Sequence, residues 1–478
     1  MPSSVCLLSG QTRRIREEMS STAALAFAFW PFVALVLYST LPARRATMWN
    51  FLGAQMFLPT GAIKFPVIVP FDKASIPTLC AIVLLLVWRP DARSVPGSKF
   101  ANFLLFCYVI APIATSLLNT DAIVNGGVLL PGVGIYDGLS AAETALVAVL
   151  PFVIGRVFFR ETSDVANILR ALAFAGLIYS VLMLIEIRLS PQLHYWVYGY
   201  YSSDFEQSAR GDSYRPIVFM GNGLLATFFL MTTAVSAAAF WRNKVKLIPS
   251  VPASVLLGYL SFVLILCRSL GSLVYAATAI PLLRFTSART CVRVSAIFAL
   301  LALAYPLLRS QDFVPTEGIV SLTKQVSEER SRSIEFRFIN EDKLLHRASQ
   351  RPLFGWGRFS RSRVYDEESG RDLSVTDGRW IITMGQFGLF GFVAEFGLLS
   401  LGVFSLFNIW RKAKPGAEAG TYVAALSLLV ALNIVDLLPN ASVTPLTFLL
   451  SGSLLGHAEA IASRLKSCGT NKIRHRIT

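Results

Sequence analysis

Apolar residues in this chain fall in runs of about 17–25, the length that crosses a hydrocarbon core of about 30 Å as a helix. A backbone at that depth must satisfy its own hydrogen bonds, so each run is expected to be helical. There are thirteen candidate stretches: 22–41, 48–59, 75–88, 100–118, 139–159, 165–187, 217–241, 251–267, 270–283, 292–308, 381–410, 422–438 and 443–462. Two of them, 48–59 and 270–283, are short, so twelve crossings are equally tenable. Only 15% of the 478 residues are charged, against about 25% in soluble domains. The expected fold class is all-α, a polytopic integral membrane protein of 12–13 transmembrane helices.

The polar stretches divide the chain into five parts: a tail (1–21), an N-terminal bundle (22–308), one large loop (309–380), the last membrane helices (381–462) and a basic tail (463–478). The net charge of +15 would suggest nucleic acid in a soluble protein. Here much of it lies in short loops, at Arg44 and Arg45, 89–99, 156–160, 242–246, 284–293 and 411–414, and in the basic tail. These all fall on one side, which the positive-inside rule makes cytoplasmic. The large loop then faces outside, and no nucleic-acid partner is expected. Thirteen crossings put the N-terminus outside, whereas Arg13, Arg14 and Arg16 argue for inside, and both readings stay open.

Six cysteines without a CxxC pair read as small buried apolar residues, and four scattered histidines have no metal-ligand spacing. Neither a metal nor a cofactor is expected. No internal repeat is visible, which weighs against a transporter built from two related halves.

Two external segments carry chemistry. The loop 309–380 is far longer than a connector needs. Within it, 326–345 reads as a helix with Ile334, Phe338 and Leu345 on one face. A Pro/Gly turn follows, Pro352-Leu-Phe-Gly-Trp-Gly357, and then Thr376-Asp-Gly378 leads back to the membrane. The loop holds Arg330, Arg332, Arg337, Arg347, Arg351, Arg358, Arg361, Arg363, Arg371 and Arg379, as a site for anions would. The plainer alternative is a solvated loop of structural ion pairs. The second segment, 190–215, is aromatic from His194 to Tyr201 and ends in Arg210 and Arg215. Its rings suit either the membrane interface or stacking on sugars.

Three of these features together resemble the O-antigen ligase/polymerase superfamily of bacterial envelope proteins. They are Arg215-Pro-Ile-Val-Phe-Met-Gly-Asn-Gly, the large loop with its Arg-bearing helix and the 352–357 turn, and the Gly-rich helix after Asp377. The resemblance implies a multi-pass glycosyltransferase of the cell inner (cytoplasmic) membrane. It would move a glycan from a polyprenyl-diphosphate-linked donor to a sugar or lipid-linked acceptor, alongside polysaccharide-assembly proteins and membrane lipid. Ligases of this family typically carry a His at the loop exit, often followed by Asn. Here Thr376-Asp-Gly378 stands there, which makes Asp377 the candidate for that role.

The chemistry asks for two kinds of group. Cations stabilise the diphosphate as charge develops on bond cleavage. The candidates are Arg210, Arg215, Arg337, Arg351 and Arg358, with Trp356 and Tyr198 for the glycan. A general base must accept the acceptor's proton. The candidates are Asp377, Glu341 and His346. Two readings from other classes remain: a transporter or flippase of lipid-linked oligosaccharides, and a non-enzymatic subunit of a polysaccharide assembly.

Overall fold

A computed structural model describes residues 20–65, 69–88, 97–202, 208–210, 213–412 and 416–474. The described residues are mostly helical. The helices are α1 (Ser21–Thr40), α2 (Ala43–Phe57), α3 (Ser75–Trp88), α4 (Lys99–Leu117), α5 (Ile135–Phe158), α6 (Thr162–Leu189), α7 (Leu193–Tyr198), α8 (Gly223–Arg242), α9 (Ala253–Leu266), α10 (Leu270–Phe285), α11 (Ala288–Ser310), α12 (Thr316–Val326), α13 (Glu328–Ser349), α14 (Arg379–Lys412), α15 (Ala417–Asp436) and α16 (Pro445–Arg474). Small two-stranded hairpins sit between them, among them Ile123–Asn125 with Val128–Leu130.

Seven helices, α1, α4, α5, α6, α8, α11 and α14, are long and apolar enough to cross a membrane, and four more are shorter but equally apolar. Their outward faces need an apolar solvent. On α4, Phe100, Phe103 and Phe106 all stand more than half exposed, as do Phe29 and Phe32 on α1. A surface of that kind is tolerated in lipid and is a liability in water. The chain is a helical, membrane-embedded protein.

Small residues set the closest helix approach. Gly452 and Gly456 on α16 face α5, where an added Cβ would lie 2.0 Å from the Phe152 carbonyl oxygen and 2.3 Å from that of Arg156. This is the small-xxx-small packing that draws backbones together where lipid leaves no hydrophobic drive. One turn further, Arg156 on α5 binds Glu459 on α16 at 2.7 Å and Asn102 on α4 at 2.7 Å. The pair ties three helices at the end of the bundle that carries the basic short loops. Arg44 and Asp164 (2.9 Å) do the same there for α2 and α6.

The opposite end gathers the large loop and the turns that meet it. Asn125 donates to the Arg363 carbonyl at 2.7 Å, and Arg351 binds Asp121 at 2.9 Å. The helix expected at 326–345 is α13, and a separate α12 folds back against it. Ile334, Phe338 and Leu345 are half-buried on its inner face.

One element departs from the sequence reading. The last membrane run before the basic 411–414 loop is not a single straight helix. Gly388 has φ 64° and ψ −164°, which breaks α14 into two pieces. The turn 352–357 fills the break. Leu389 N–H donates to the Pro352 carbonyl (2.8 Å) and Phe390 N–H to that of Leu353 (3.0 Å). In return, Trp356 and Gly357 N–H donate to the carbonyls of Gly385 (2.9 Å) and Gln386 (2.9 Å). A broken helix is sustained in a bilayer where protein groups take over its freed backbone bonds. The outer piece of α14 thereby becomes part of the large loop's fold.

Candidate functional site

Segment 437–444, between α15 and α16, is the meeting point of the candidate residues. The start of α14 is pinned to it, since Arg379 N–H donates to the Leu437 carbonyl at 2.9 Å and that of Asn440 at 3.1 Å. Gly378 lies so close that a Cβ would stand 2.1 Å from the Leu438 oxygen. Arg337 reaches in from α13 and donates to the Pro439 carbonyl at 3.1 Å. On the far side, Asn222 at the start of α8 donates to Ser442 Oγ at 3.2 Å. The stem of Arg215 packs over the neighbouring Gly223, where a Cβ would be 2.5 Å from its Cδ. Arg337 thus touches the segment directly, whereas Arg215 lies against Gly223, next to the Asn222 that reaches Ser442.

Asp377 pairs with Arg337, Oδ2 to Nε 3.4 Å, and its side chain is 38% exposed. The first helical residue of α14 is Arg379, so Gly378 holds the cap position and Asp377 stands one residue earlier. Its carboxylate faces an arginine rather than the helix end. A second carboxylate, Asp436 at the end of α15, lies close by. It accepts from Asn440 Nδ2 at 2.9 Å and stands near Tyr275 and Arg337. In the sequence, Asp436 lies near the end of the apolar run 422–438. Its signal was weak, because a single Asp at the end of an apolar run looks like a boundary marker.

Beside this cluster lies a cavity of about 280 Å³ between α4, α5, α14 and α16. Its apolar wall includes Pro112, Ala145, Phe387 and Phe448, Tyr108, Thr144, Thr383 and Gln386 add uncharged polar groups, and its charged groups are Arg358, Arg379 and Glu395. Glu395 is fully buried. It binds Arg379 at 2.7 Å and accepts from Thr383 at 2.6 Å. A buried carboxylate of this kind requires such partners. Arg358 has no carboxylate partner among the described residues, so its charge is open to an anion. Arg379 and Glu395 were visible in the sequence, but their pairing across the break in α14 was not.

The other candidates fall elsewhere. Glu341 is buried against α11 and the start of α14, accepting from Tyr305 (3.0 Å) and from Trp380 Nε1 (3.3 Å), with Arg309 at 3.8 Å. Burial pushes its carboxyl up, against the pull of those two hydrogen bonds. This position docks α13 onto the bundle. His346 is on the exposed outer face of α13. Arg351 is held by Asp121 and by Asn119. Trp356 is buried, donates to the Arg347 carbonyl at 2.7 Å, and has the Arg347 and Arg351 guanidiniums 3.4 and 4.3 Å from its ring centre. These groups lock the 352–357 turn. Arg361 is the buried centre of that lock, donating to Trp356, Asp121 and Pro131 carbonyls.

Tyr198 faces inward, its hydroxyl donating to the Phe57 carbonyl, its ring against His194 and Phe219. Burial lifts its phenol to about 12 and lowers His194. The exposed rings of that segment are Trp196 and the stacked pair Tyr195 and Tyr201, 4.9 Å apart. Arg210 lies on a short strand, Ala209–Arg210, and its side chain is outside the described residues.

No family model matches the chain, and no curated protein matches it.

Proposed function

We propose that the chain is a glycosyltransferase of the cytoplasmic membrane that takes its glycan from a polyprenyl-diphosphate carrier. The observation that carries this reading is the 280 Å³ cavity, because it combines apolar walls with Arg358 and the Arg379–Glu395 pair. A lipid-linked diphosphate has the same two-part chemistry. Its isoprenoid needs an apolar wall at membrane depth, and its phosphates need a cation whose charge is not already spent. The bound diphosphate would lie against Arg358, with Arg379 held in place by Glu395.

Asp377 is two residues from Arg379, at most about 7 Å of chain. In the proposed step, an acceptor hydroxyl attacks the anomeric carbon and gives its proton to the Asp377 carboxylate. A new glycosidic C–O bond forms while the bond from the anomeric carbon to the phosphate oxygen breaks, and polyprenyl diphosphate leaves with both electrons. Arg337 keeps the carboxylate aimed, and Arg358 takes the charge that grows on the leaving group. Asp436 is the alternative base in the same cluster.

The topology we propose has thirteen crossings, α1 to α6, α8 to α11 and α14 to α16. It places 309–378 and the start of α1 outside and the basic loops inside. The piece of α14 from Leu389 onward, about 36 Å long at 1.5 Å per residue, is sufficient to span.

A second reading draws on the same cavity. A buried ion pair on helices in the membrane is also what a flippase for lipid-linked oligosaccharides would use. Glycan analysis of a deletion strain separates the two. Loss of long chains with single repeats retained indicates polymerase, and full-length chains left unattached indicate ligase. Carrier-linked repeats trapped on the inner leaflet would instead favour the flippase.

A further inference from the structure

A second cavity, of about 210 Å³, lies at the other end of the bundle, between the starts of α2 and α6. Its rim carries Arg44, Arg45 and Arg170 against a single carboxylate, Asp164, and Trp49 and Phe174 contribute to its apolar part. Asp164 is already occupied. It takes Arg44 at 2.9 Å and accepts the backbone N–H groups of Arg160 (3.1 Å) and Glu161 (2.9 Å). Arg45 is exposed, and among the described residues neither it nor Arg170 pairs with a carboxylate. Arg170 is nevertheless held in place, donating to Asn167 at 3.2 Å with the Phe240 ring 5.6 Å away. It stands eight residues into α6, about 12 Å along the axis from the helix start. The rim therefore carries two positive charges without a carboxylate partner, Arg170 held in place and Arg45 exposed, over an apolar floor.

We infer that this cavity binds the phosphodiester headgroup of an anionic phospholipid from the leaflet at the basic end of the bundle. Arg45 and Arg170 contact the phosphate, and the apolar floor receives the glycerol and the first acyl carbons. Basic pockets between membrane helices bind anionic lipid headgroups by this chemistry. Because α2 and α6 meet here, the lipid joins two helices that Arg44 and Asp164 already tie. The inference rests on the membrane embedding and not on the proposed transfer chemistry.

The test uses the delipidated full chain in detergent. Thermal unfolding and native mass spectrometry follow the addition of phosphatidylglycerol, phosphatidylcholine or inorganic phosphate. Phosphatidylglycerol should raise the melting temperature of the unmodified protein, and the other two should not. Each arginine adds about fivefold to binding near a charged headgroup. Arg45→Gln, at an exposed residue that leaves the fold intact, should weaken phosphatidylglycerol about fivefold. Arg45→Gln with Arg170→Gln should weaken it about thirtyfold. Arg411→Gln, at the far end of α14, should leave it unchanged. Equal binding by the double variant, or equal weakening by Arg411→Gln, would overturn the assignment. A response to inorganic phosphate as large as that to phosphatidylglycerol would make this a soluble-anion site and overturn the lipid.

Discussion

Asp377 and Arg337 stand forty residues apart in sequence and 3.4 Å apart in the fold. If Asp377 is the base, Asp377→Asn should lower the transfer rate by about 10²–10⁴ without changing the melting temperature. Near-normal transfer by that variant would pass the role to Asp436. Asp121 allows a second residue-scale test. The hydrogen bond from Arg351 holds its carboxyl below the usual range, with Arg361 adding to the effect. A depressed carboxylate contributes stability that is full above its unfolded value and is lost as pH falls through its folded one. Thermal unfolding of Asp121→Asn should therefore be lower than that of the unmodified protein at neutral pH. The two should converge in acid, below the ordinary carboxylate value of about 3.9. A constant gap at every pH would show that the charge of Asp121 is not what holds the turn. The residue types were legible in the sequence, since arginine and carboxylate both stand out in an apolar chain. Their partners were not. Arg351 and Trp356 looked like ligand-binding groups because nothing in a sequence shows that Asp121 and the Arg347 carbonyl already occupy them.

Among the elements, α14 carries the most information. Its apolar run was legible, because about 30 mostly hydrophobic residues in a row point to a membrane helix. The break was not, since glycine is frequent in membrane helices and Gly385, Gly388 and Gly391 look alike in sequence. What singles out Gly388 is its backbone, in a region that only glycine adopts readily, and the turn 352–357 seated against it. A Cβ there would stand 2.4 Å from the Leu353 carbonyl. Gly388→Ala should cost about 1–3 kcal/mol for the backbone conformation alone, with the contact adding to it. The measurement is thermal unfolding in detergent. An unshifted melting temperature would mean that the turn and the helix break are not coupled. Because the outer piece of α14 carries Arg379 and lies against segment 437–444, the same substitution should also depress transfer.

The whole molecule has two chemically different ends. One gathers short basic loops and the ion pairs Arg44–Asp164 and Arg156–Glu459, and the other gathers the long loop and the candidate cluster. The account puts the second end outside. Glu368 stands exposed on the loop, whereas Ser374 is buried with its hydroxyl on Asp372, so Glu368→Cys is the better reporter. On a background without other cysteines, a membrane-impermeant thiol reagent should label it in intact cells. Labelling only after the membrane is opened would invert the topology. The central claim is chemical, and one measurement meets it directly. Purified protein in vesicles is given a polyprenyl-diphosphate-linked glycan and an acceptor, and released polyprenyl diphosphate is counted against new glycosidic bonds. The account predicts one of each per turnover, with Arg358→Gln weakening use of the donor. Donor that crosses the bilayer intact, with no polyprenyl diphosphate released, would contradict it.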